Sequence, residues 1–164
     1  MKKTQLIILR GTENCGKTTL CAEVYKQLLP YANKEHFFGK PWENMTTVKQ
    51  NSIILDKKGD ICDFQAILFV ENKKIGFFSM GDYVPNYFKI NIQALIDINI
   101  DILICCTRSR NKENSTFRYI DETYSGYCKQ IFWVNYAPKK DDMYTEKQKQ
   151  AKKIAQFVLN YLGK

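Results

Sequence analysis

The sequence predicts a layered α/β protein, in which helices cover a largely parallel sheet. Three observations lead to this fold class. Short apolar runs alternate along the chain with amphipathic helical patterns. A glycine-rich segment at residues 11–18, here called the glycine loop, joins the first apolar run to the first helical pattern. Two later apolar runs are separated by only two residues, which adds one antiparallel hairpin to the parallel strands.

The first strand is predicted for residues 4–10, because TQLIILR is a short apolar run of the kind buried in parallel sheets. A helix with one buried face follows the glycine loop and ends at Pro30, because apolar residues recur at every fourth position. These residues are Leu20, Val24 and Leu28. Residues 31–47 are expected to be irregular, and residues 51–56 are interpreted as a further strand.

The hairpin is predicted at about 64–70 and 74–80, where two β-prone runs flank Asn72 and Lys73. A helical pattern near 86–97 follows it.

Two further strands and the last helix complete the predicted fold. The strands are expected at 101–106 and 130–134, with a short helix between them. Thr145 and Gln148 have the spacing of a capping box at the start of the last helix, and Gly163 lies at its end. The apolar stripe of this helix consists of Ala151, Ile154, Ala155, Val158 and Leu162. Most lysines of this region are expected on its outward face.

Length, composition and charge limit the classes of protein to which this chain can belong. The chain has 164 residues and 45% apolar content, which predicts a single domain spanning 1–164. No run approaches the ~18 apolar residues that span a bilayer, no secretion signal is evident, and the six cysteines lack zinc-site spacing. We therefore expect a soluble, cytoplasmic protein with reduced thiols and no membrane partner. The formal charge of +8 suits phosphorylated metabolites or nucleic acid, although no nucleic-acid-binding motif is present.

The glycine loop, GTENCGKT, matches G-x-x-x-x-G-K-[ST] in full. Backbone N–H groups of such a loop wrap a phosphate, and the following helix directs its positive end at the same group. Lys17 supplies a mobile charge for the β- and γ-phosphates, and the Thr18 hydroxyl is a ligand for Mg²⁺. The predicted nucleotide-binding residues here are Gly11, Glu13, Asn14, Cys15, Gly16, Lys17, Thr18 and Thr19.

This motif, placed between a buried strand and an amphipathic helix, resembles the P-loop NTPase superfamily, and the resemblance extends to the general order of elements along the chain. It implies a three-layer P-loop fold, ATP or GTP as ligand, and Mg²⁺ as cofactor. Small nucleotide and metabolite kinases carry an arginine-bearing lid at the place of residues 107–118. By that resemblance Arg108 and Arg110 are expected to contact the nucleotide and to act in catalysis, and Arg118 comes next.

A second acidic group normally completes the magnesium site of such proteins, at the carboxyl end of the strand beside the glycine loop. Asp82 is the first candidate, because it follows an apolar run directly and Gly81 would let the backbone pass near a ligand. Its carboxylate would hold Mg²⁺ or orient the attacking group. The substitutes are Asp56, Asp60 and Asp63.

The acceptor side rests on residues 31–47, the segment that helps to bind the acceptor in kinases of this class. His36, Phe37, Phe38 and Trp42 could line a pocket or pack the segment onto the core, and both interpretations stay open.

The sequence thus predicts an ATP- and Mg²⁺-dependent phosphotransferase acting on a small, anionic acceptor such as a nucleotide or metabolite. The alternative is a regulatory ATPase that works with a protein or nucleic-acid partner. An atypical GTPase is a third interpretation: the hairpin is Ras-like, but the Asp-x-x-Gly and Asn-Lys-x-Asp motifs are missing, and NKEN at 111–114 ends in asparagine. Nothing in the sequence indicates the oligomeric state.

Overall fold

The computed structural model describes residues 3–37, 62–81, 86–136 and 140–164, with only the backbone at 140 and 141. These residues form an α/β protein with one mixed sheet of six strands, mostly parallel, and four α-helices. The predicted α/β class is therefore confirmed.

The strands are β1 (Gln5–Gly11), β2 (Lys34–Phe37), β3 (Gln65–Val70), β4 (Lys73–Phe78), β5 (Ile102–Arg108) and β6 (Lys129–Trp133). The helices are α1 (Lys17–Leu28), α2 (Asn86–Asp97), α3 (Thr116–Thr123) and α4 (Lys140–Leu162), and a short 3-10 helix at Leu29–Tyr31 follows α1. The order across the sheet is β2-β3-β4-β5-β1-β6. β3 is antiparallel to both of its neighbours, and the other neighbouring strands are parallel.

β1 lies inside the sheet, parallel to β5 on one side and to β6 on the other. Its residue Ile8 is in register with Cys105 and with Ile131. A strand with helices over both faces needs apolar side chains in both directions, which explains the unbroken run LIIL in β1.

Two hydrophobic cores lie on opposite faces of the sheet. Ile7 and Leu9 of β1 face a core that includes apolar residues of α1 and α4. Leu6 and Ile8 face a second core that includes residues of α2 and α3. Each fully buried side chain of this kind contributes about 1.5–3 kcal/mol. This layering is compatible with a three-layer α/β fold.

The predicted hairpin is confirmed as β3 and β4, which pair antiparallel from Val70 and Lys73 at the turn. The expectation of irregular structure from residue 31 onward is wrong for β2, because Lys34–Phe37 pairs antiparallel with β3. Four residues are too few for a periodic pattern, so only the partner strand reveals this one. The strand expected at 51–56 lies outside the described residues.

The helix predicted at the end of the chain is confirmed, but it begins earlier than predicted. α4 begins at Lys140, so Thr145 lies within the helix and the capping-box prediction is wrong. Asp142 occurs in the first turn, where the positive end of the helix dipole favours acidic residues. Gly163 has φ 78° and ends the helix as expected.

The six cysteines are all free thiols. Cys105 and Cys106 are fully buried in β5, as expected for small core residues. Among the helices in the described ranges, none combines the length and apolar character needed to cross a lipid bilayer.

Candidate functional site

One edge of the sheet collects most of the candidate residues. β1, β4, β5 and β6 are parallel, so their carboxyl ends meet there. β3 runs the other way, so its amino end lies at the same edge. This carboxyl edge therefore carries the glycine loop, Asp63, residues 79–81, Arg108 and Asn135. Ligands of open α/β sheets commonly bind at such an edge.

The glycine loop has a backbone that few residues other than glycine adopt. Gly16, directly before α1, has φ 91° and ψ 27°, and Asn14 has φ 57°. Glycine enters this left-handed region without cost, and asparagine tolerates it better than most residues. No side chain caps α1 by a hydrogen bond to its first turn. The amides of that turn are therefore not committed to a side-chain cap, and they can serve a bound anion.

Close packing explains Gly11, and the left-handed backbone together with a neighbouring lysine explains Gly16. A Cβ on Gly11 would lie 2.4 Å from Sγ of Cys15 and 3.2 Å from Cβ of Val134. A Cβ on Gly16 would lie 2.7 Å from Cε of Lys147. Cys15 is fully buried beneath the loop, and burial raises the pKa of its thiol. Cys15 therefore supports the loop as an inert apolar group rather than as a nucleophile.

Lys17 lies inside the loop rather than in solvent. Its side chain is 5% exposed, and its ammonium donates to the carbonyl oxygens of Thr12 at 2.6 Å and Gly11 at 3.2 Å. Lys17 thus reaches back from the end of the loop to its first two residues. From there it can reach an anion that enters the loop.

Thr18 and Asp63 meet across the carboxyl edge. The Thr18 hydroxyl donates to Oδ1 of Asp63 at 2.7 Å, although the two residues are 45 positions apart. Ser79 also donates to Oδ1 of Asp63, at 3.1 Å. Phe64 N–H donates to the Ser79 hydroxyl at 2.8 Å, and Ser79 N–H donates to the Phe64 carbonyl at 3.1 Å. The ends of β3 and β4 therefore fix the Asp63 carboxylate against the start of α1.

This pair suits a magnesium ion by chemistry. A hydroxyl and a carboxylate are hard oxygen ligands, and Mg²⁺ commonly takes one or two protein oxygens together with waters and phosphate oxygens. In the part of the chain that the structure describes, no cluster of three or more His, Cys, Asp or Glu residues could hold a metal by itself. Thr18 and Asp63 therefore fit an ion bound together with a phosphate ligand.

Asp82, the first candidate for this carboxylate, lies outside the described residues, as do Asp56 and Asp60. The premise for Asp82 is corrected in one respect: β4, the strand before it, is not beside β1, because β5 lies between them. Of the four candidates, Asp63 is the one that the structure describes, and it contacts Thr18.

Gly81 is required by the sheet itself. A Cβ at this position would lie 2.5 Å from the carbonyl carbon and 2.6 Å from the carbonyl oxygen of Cys106. The Thr116 hydroxyl donates to the Gly81 carbonyl at 2.8 Å and accepts from Arg108 N–H at 2.9 Å. We expected this glycine to let the backbone pass near a ligand. In the structure the close approach is to the backbone of β5.

The structure brings one of the predicted arginines to the glycine loop. The Arg108 guanidinium forms an ion pair with Glu13 of the loop at 3.3 Å. Arg118 pairs with Glu122 along α3 at 2.5 Å, which raises its pKa. Arg110 is exposed, with no hydrogen bond or ion pair to the described residues. The candidate lid, 107–118, thus consists of the end of β5, a loop, and the start of α3.

Arg10 at the end of β1 is a residue that the sequence reasoning missed. Its guanidinium lies 3.5 Å from the ring centroid of Phe117 and 4.5 Å from that of Trp133. It also donates to the Ser109 carbonyl at 2.6 and 3.0 Å. Arg10 therefore ties the strand that enters the glycine loop to β5, α3 and β6. Its position directly before Gly11 was the available signal.

Lys147 of α4 was missed for a different reason. Most lysines of this region are expected on the outward face of the helix, but Lys147 is 1% exposed. Its ammonium donates to the Asn135 carbonyl at 2.5 Å, and its stem lies against Gly16. Lys147 is four residues before Ala151 and seven before Ile154, so helical periodicity places it in the apolar stripe. That spacing could have revealed it.

The acceptor segment is described only as far as Phe37. Phe37 is fully buried and stacks on Phe64 at 5.5 Å between ring centroids, so packing explains it. His36 contacts Phe69 edge to face at 5.1 Å. Phe38 and Trp42 lie outside the described residues.

The carboxyl edge therefore combines an anion-suited loop, a buried lysine, a hydroxyl–carboxylate pair and one arginine. Such a set can bind a polyphosphate and neutralise charge that develops on it. Comparisons with protein-family models, curated proteins and solved structures found no match for this chain.

Proposed function

We propose that this protein is a P-loop phosphotransferase, which binds ATP or GTP in the glycine loop and transfers the γ-phosphoryl group to a small, anionic acceptor. One observation carries the proposal. The buried Lys17 ammonium and the Thr18 hydroxyl, neighbours at the start of α1, are directed to the loop carbonyls and to a carboxylate, respectively. The P-loop fold belongs to this proposal, and the β1–glycine loop–α1 arrangement supports it.

Phosphate binding would rest on the loop backbone and Lys17. The amides of the loop and of the first turn of α1 would surround the β-phosphate. Lys17 would exchange its contacts with Thr12 and Gly11 for phosphate oxygens. A charged donor in a site with little water stabilises the developing charge more strongly than water does.

Thr18 and Asp63 are the residues that would hold Mg²⁺. When bound with a nucleotide, the ion neutralises negative charge on the β- and γ-phosphates. Asp63 orients the Thr18 hydroxyl, and Ser79 fixes the Asp63 carboxylate. Asp82 remains a second candidate for the same role.

Arg108 would complete the site from the lid. Arg108 forms an ion pair with Glu13, and the Glu13 side chain is 64% exposed. An exposed pair of this kind is worth at most about 1 kcal/mol. A phosphate can therefore displace Glu13 and receive the guanidinium, which would draw the lid over the nucleotide.

The test is transfer of the γ-phosphate from labelled ATP and GTP to a panel of nucleoside monophosphates, nucleosides and small hydroxylated metabolites. Lys17→Ala should lower transfer by at least about 100-fold, the usual effect of removing a group that stabilises transition-state charge. Lys89→Ala, which removes an exposed lysine of α2, is the matched control and should leave transfer unchanged. Circular dichroism and the thermal midpoint would show that each variant is folded. Unchanged transfer in folded Lys17→Ala would refute the assignment.

A second candidate function is a regulatory ATPase that responds to a polyanionic partner. A groove of about 460 Å³ between β6 and α4 favours it, because Lys149, Lys152 and Lys153 line this groove beside Phe132. Release of free phosphate without any acceptor, together with salt-dependent retention of an oligonucleotide, would favour this candidate over the kinase.

A further inference from the structure

α4 inserts a lysine into the protein interior. Lys147 lies one helical turn before Ala151 and two before Ile154, on the face of α4 that packs against α1. It is 1% exposed and belongs to the largest fully buried side chains of the described residues. Lysines are rarely buried to this degree unless they are paired.

The buried ammonium has no anionic partner in the described part of the chain. Its hydrogen bond goes to the neutral carbonyl oxygen of Asn135 at 2.5 Å. Glu146, the adjacent acid on α4, pairs instead with Lys149 at 3.5 Å, and its side chain is 62% exposed. Burial lowers the pKa of Lys147, against smaller opposing effects of Cys15 and Glu146. A buried charge without a counter-charge destabilises the fold that holds it.

The position of Lys147 indicates where its counter-charge belongs. Its Cε would be 2.7 Å from a Cβ on Gly16, so its stem lies against the last glycine of the loop. Asn135, which receives its hydrogen bond, follows Val134, and Val134 packs against Gly11. The Lys147 stem therefore lies beside the last glycine of the loop, and its ammonium lies at the carbonyl of Asn135, the residue after the valine that packs against Gly11.

We infer that Lys147 is a second cation of the phosphate site, and that the phosphate chain of the bound nucleotide is its counter-charge. This inference rests on the proposed function. Lys147 is a positioning residue: its stem supports the glycine loop from α4, and its charge raises the positive potential where Lys17 and the loop amides would bind phosphate. The destabilisation that it causes in the free protein would be offset when the anion binds.

This role has a signature that a structural lysine lacks. Lys147→Met keeps most of the stem but removes the charge, so the free protein should be as stable as before or more stable. Anion binding should weaken by about tenfold or more, because the lost charge acts through a medium of low effective dielectric constant. A structural lysine would instead lower the stability of the free protein.

Calorimetric titration with sodium tripolyphosphate and with ATP, together with urea unfolding of the free protein, tests the inference. Lys147→Met should bind both ligands about tenfold more weakly or worse, with an unfolding midpoint no lower than that of the wild type. Lys147→Gln, which keeps a hydrogen-bond donor but no charge, should show the same weakening and serves if Lys147→Met does not fold. Lys89→Met, which removes an exposed lysine of α2 outside any proposed site, is the matched control and should bind normally.

Unchanged tripolyphosphate affinity in folded Lys147→Met and Lys147→Gln would overturn the inference, as would a lowered midpoint with normal affinity. The proposed function fails differently. If the wild type binds neither tripolyphosphate nor ATP, or if Lys17→Ala binds both normally, then the glycine loop is not a phosphate site, whatever Lys147 does.

Discussion

Asp63 uses only one of its two carboxylate oxygens within the described residues. Both Thr18 and Ser79 donate to Oδ1, and Oδ2 receives no hydrogen bond from the described chain. A carboxylate fixed in this way has one oxygen directed by the protein and one left for an ion or for a water bound to it. This asymmetry makes Asp63 a better-supported candidate for the proposed metal site than sequence order alone indicated.

Asp63→Asn should therefore reduce magnesium-dependent turnover by at least about tenfold, because it keeps the acceptor for Thr18 but removes the charge that would bind the ion. The measurement is nucleotide turnover as a function of magnesium concentration. The apparent magnesium affinity should fall, while binding of metal-free nucleotide changes little.

Asp82→Asn in the same titration decides between the two carboxylates. A loss in Asp82→Asn with a normal Asp63→Asn would assign the metal to Asp82. A loss in Asp63→Asn alone would assign it to Asp63.

At the scale of elements, local sequence patterns predicted most helices and strands, but they did not predict which strands are neighbours in the sheet. The first strand, the glycine loop and the first helix were predictable from apolar periodicity and one contiguous motif. The hairpin was predictable from the turn residues near Asn72. β2 was not, because four residues form a strand only through pairing with β3. The placement of β5 between β1 and β4 was also hidden, since strand order is a tertiary property.

The same limit applies to the site. Lys17, Thr18 and the loop glycines were predictable, because one contiguous motif contains them. Asp63 ranked below Asp82, because its contact with Thr18 depends on β3 running antiparallel and bringing its amino end to the carboxyl edge. Lys147 depends on how α4 packs against the loop, and no local pattern encodes that contact beyond its place in the apolar stripe.

Gly81, just after β4, lies so close to the backbone of β5 that an added methyl group should destabilise the fold. Gly81→Ala should lower the free energy of unfolding by about 1–3 kcal/mol, because the added Cβ meets the rigid backbone of Cys106 at 2.5 Å. Urea denaturation measures this change.

Gly126→Ala is the matched control, since its Cβ would meet only the flexible end of Lys3, at 2.8 Å. We expect a change within about 0.5 kcal/mol there. Equal effects of the two substitutions would show that the approach of residue 81 to β5 is not a tight constraint.

At the scale of the whole molecule, we expect the single histidine of the chain to contribute to the pH dependence of stability. His36 lies in β2, at one end of the six-stranded sheet, beside Phe69. Burial, with a smaller effect of Lys34, lowers its pKa below the ordinary value of 6.5. The unfolded chain therefore binds the proton more readily than the folded protein does.

The stability that neutral His36 contributes should be present above about pH 6.5 and lost as the pH falls through its lowered pKa. We expect the urea midpoint of the wild type to decrease between pH 8 and pH 5, before most carboxylates titrate. His36→Gln should flatten this decrease. Parallel pH profiles for the two proteins would contradict the prediction.

The stack of Arg10 between Phe117 and Trp133 also gives the protein an optical reporter. The Trp133 side chain is about half exposed, and its indole ring contacts the guanidinium of the residue that directly precedes the glycine loop. Emission from an indole changes with the charge and the solvent around it, so a displacement of the loop on ligand binding would alter the fluorescence of Trp133. Trp42 is the other tryptophan of the chain. A Trp42→Phe protein would therefore carry a single tryptophan, next to its candidate site, without any added label.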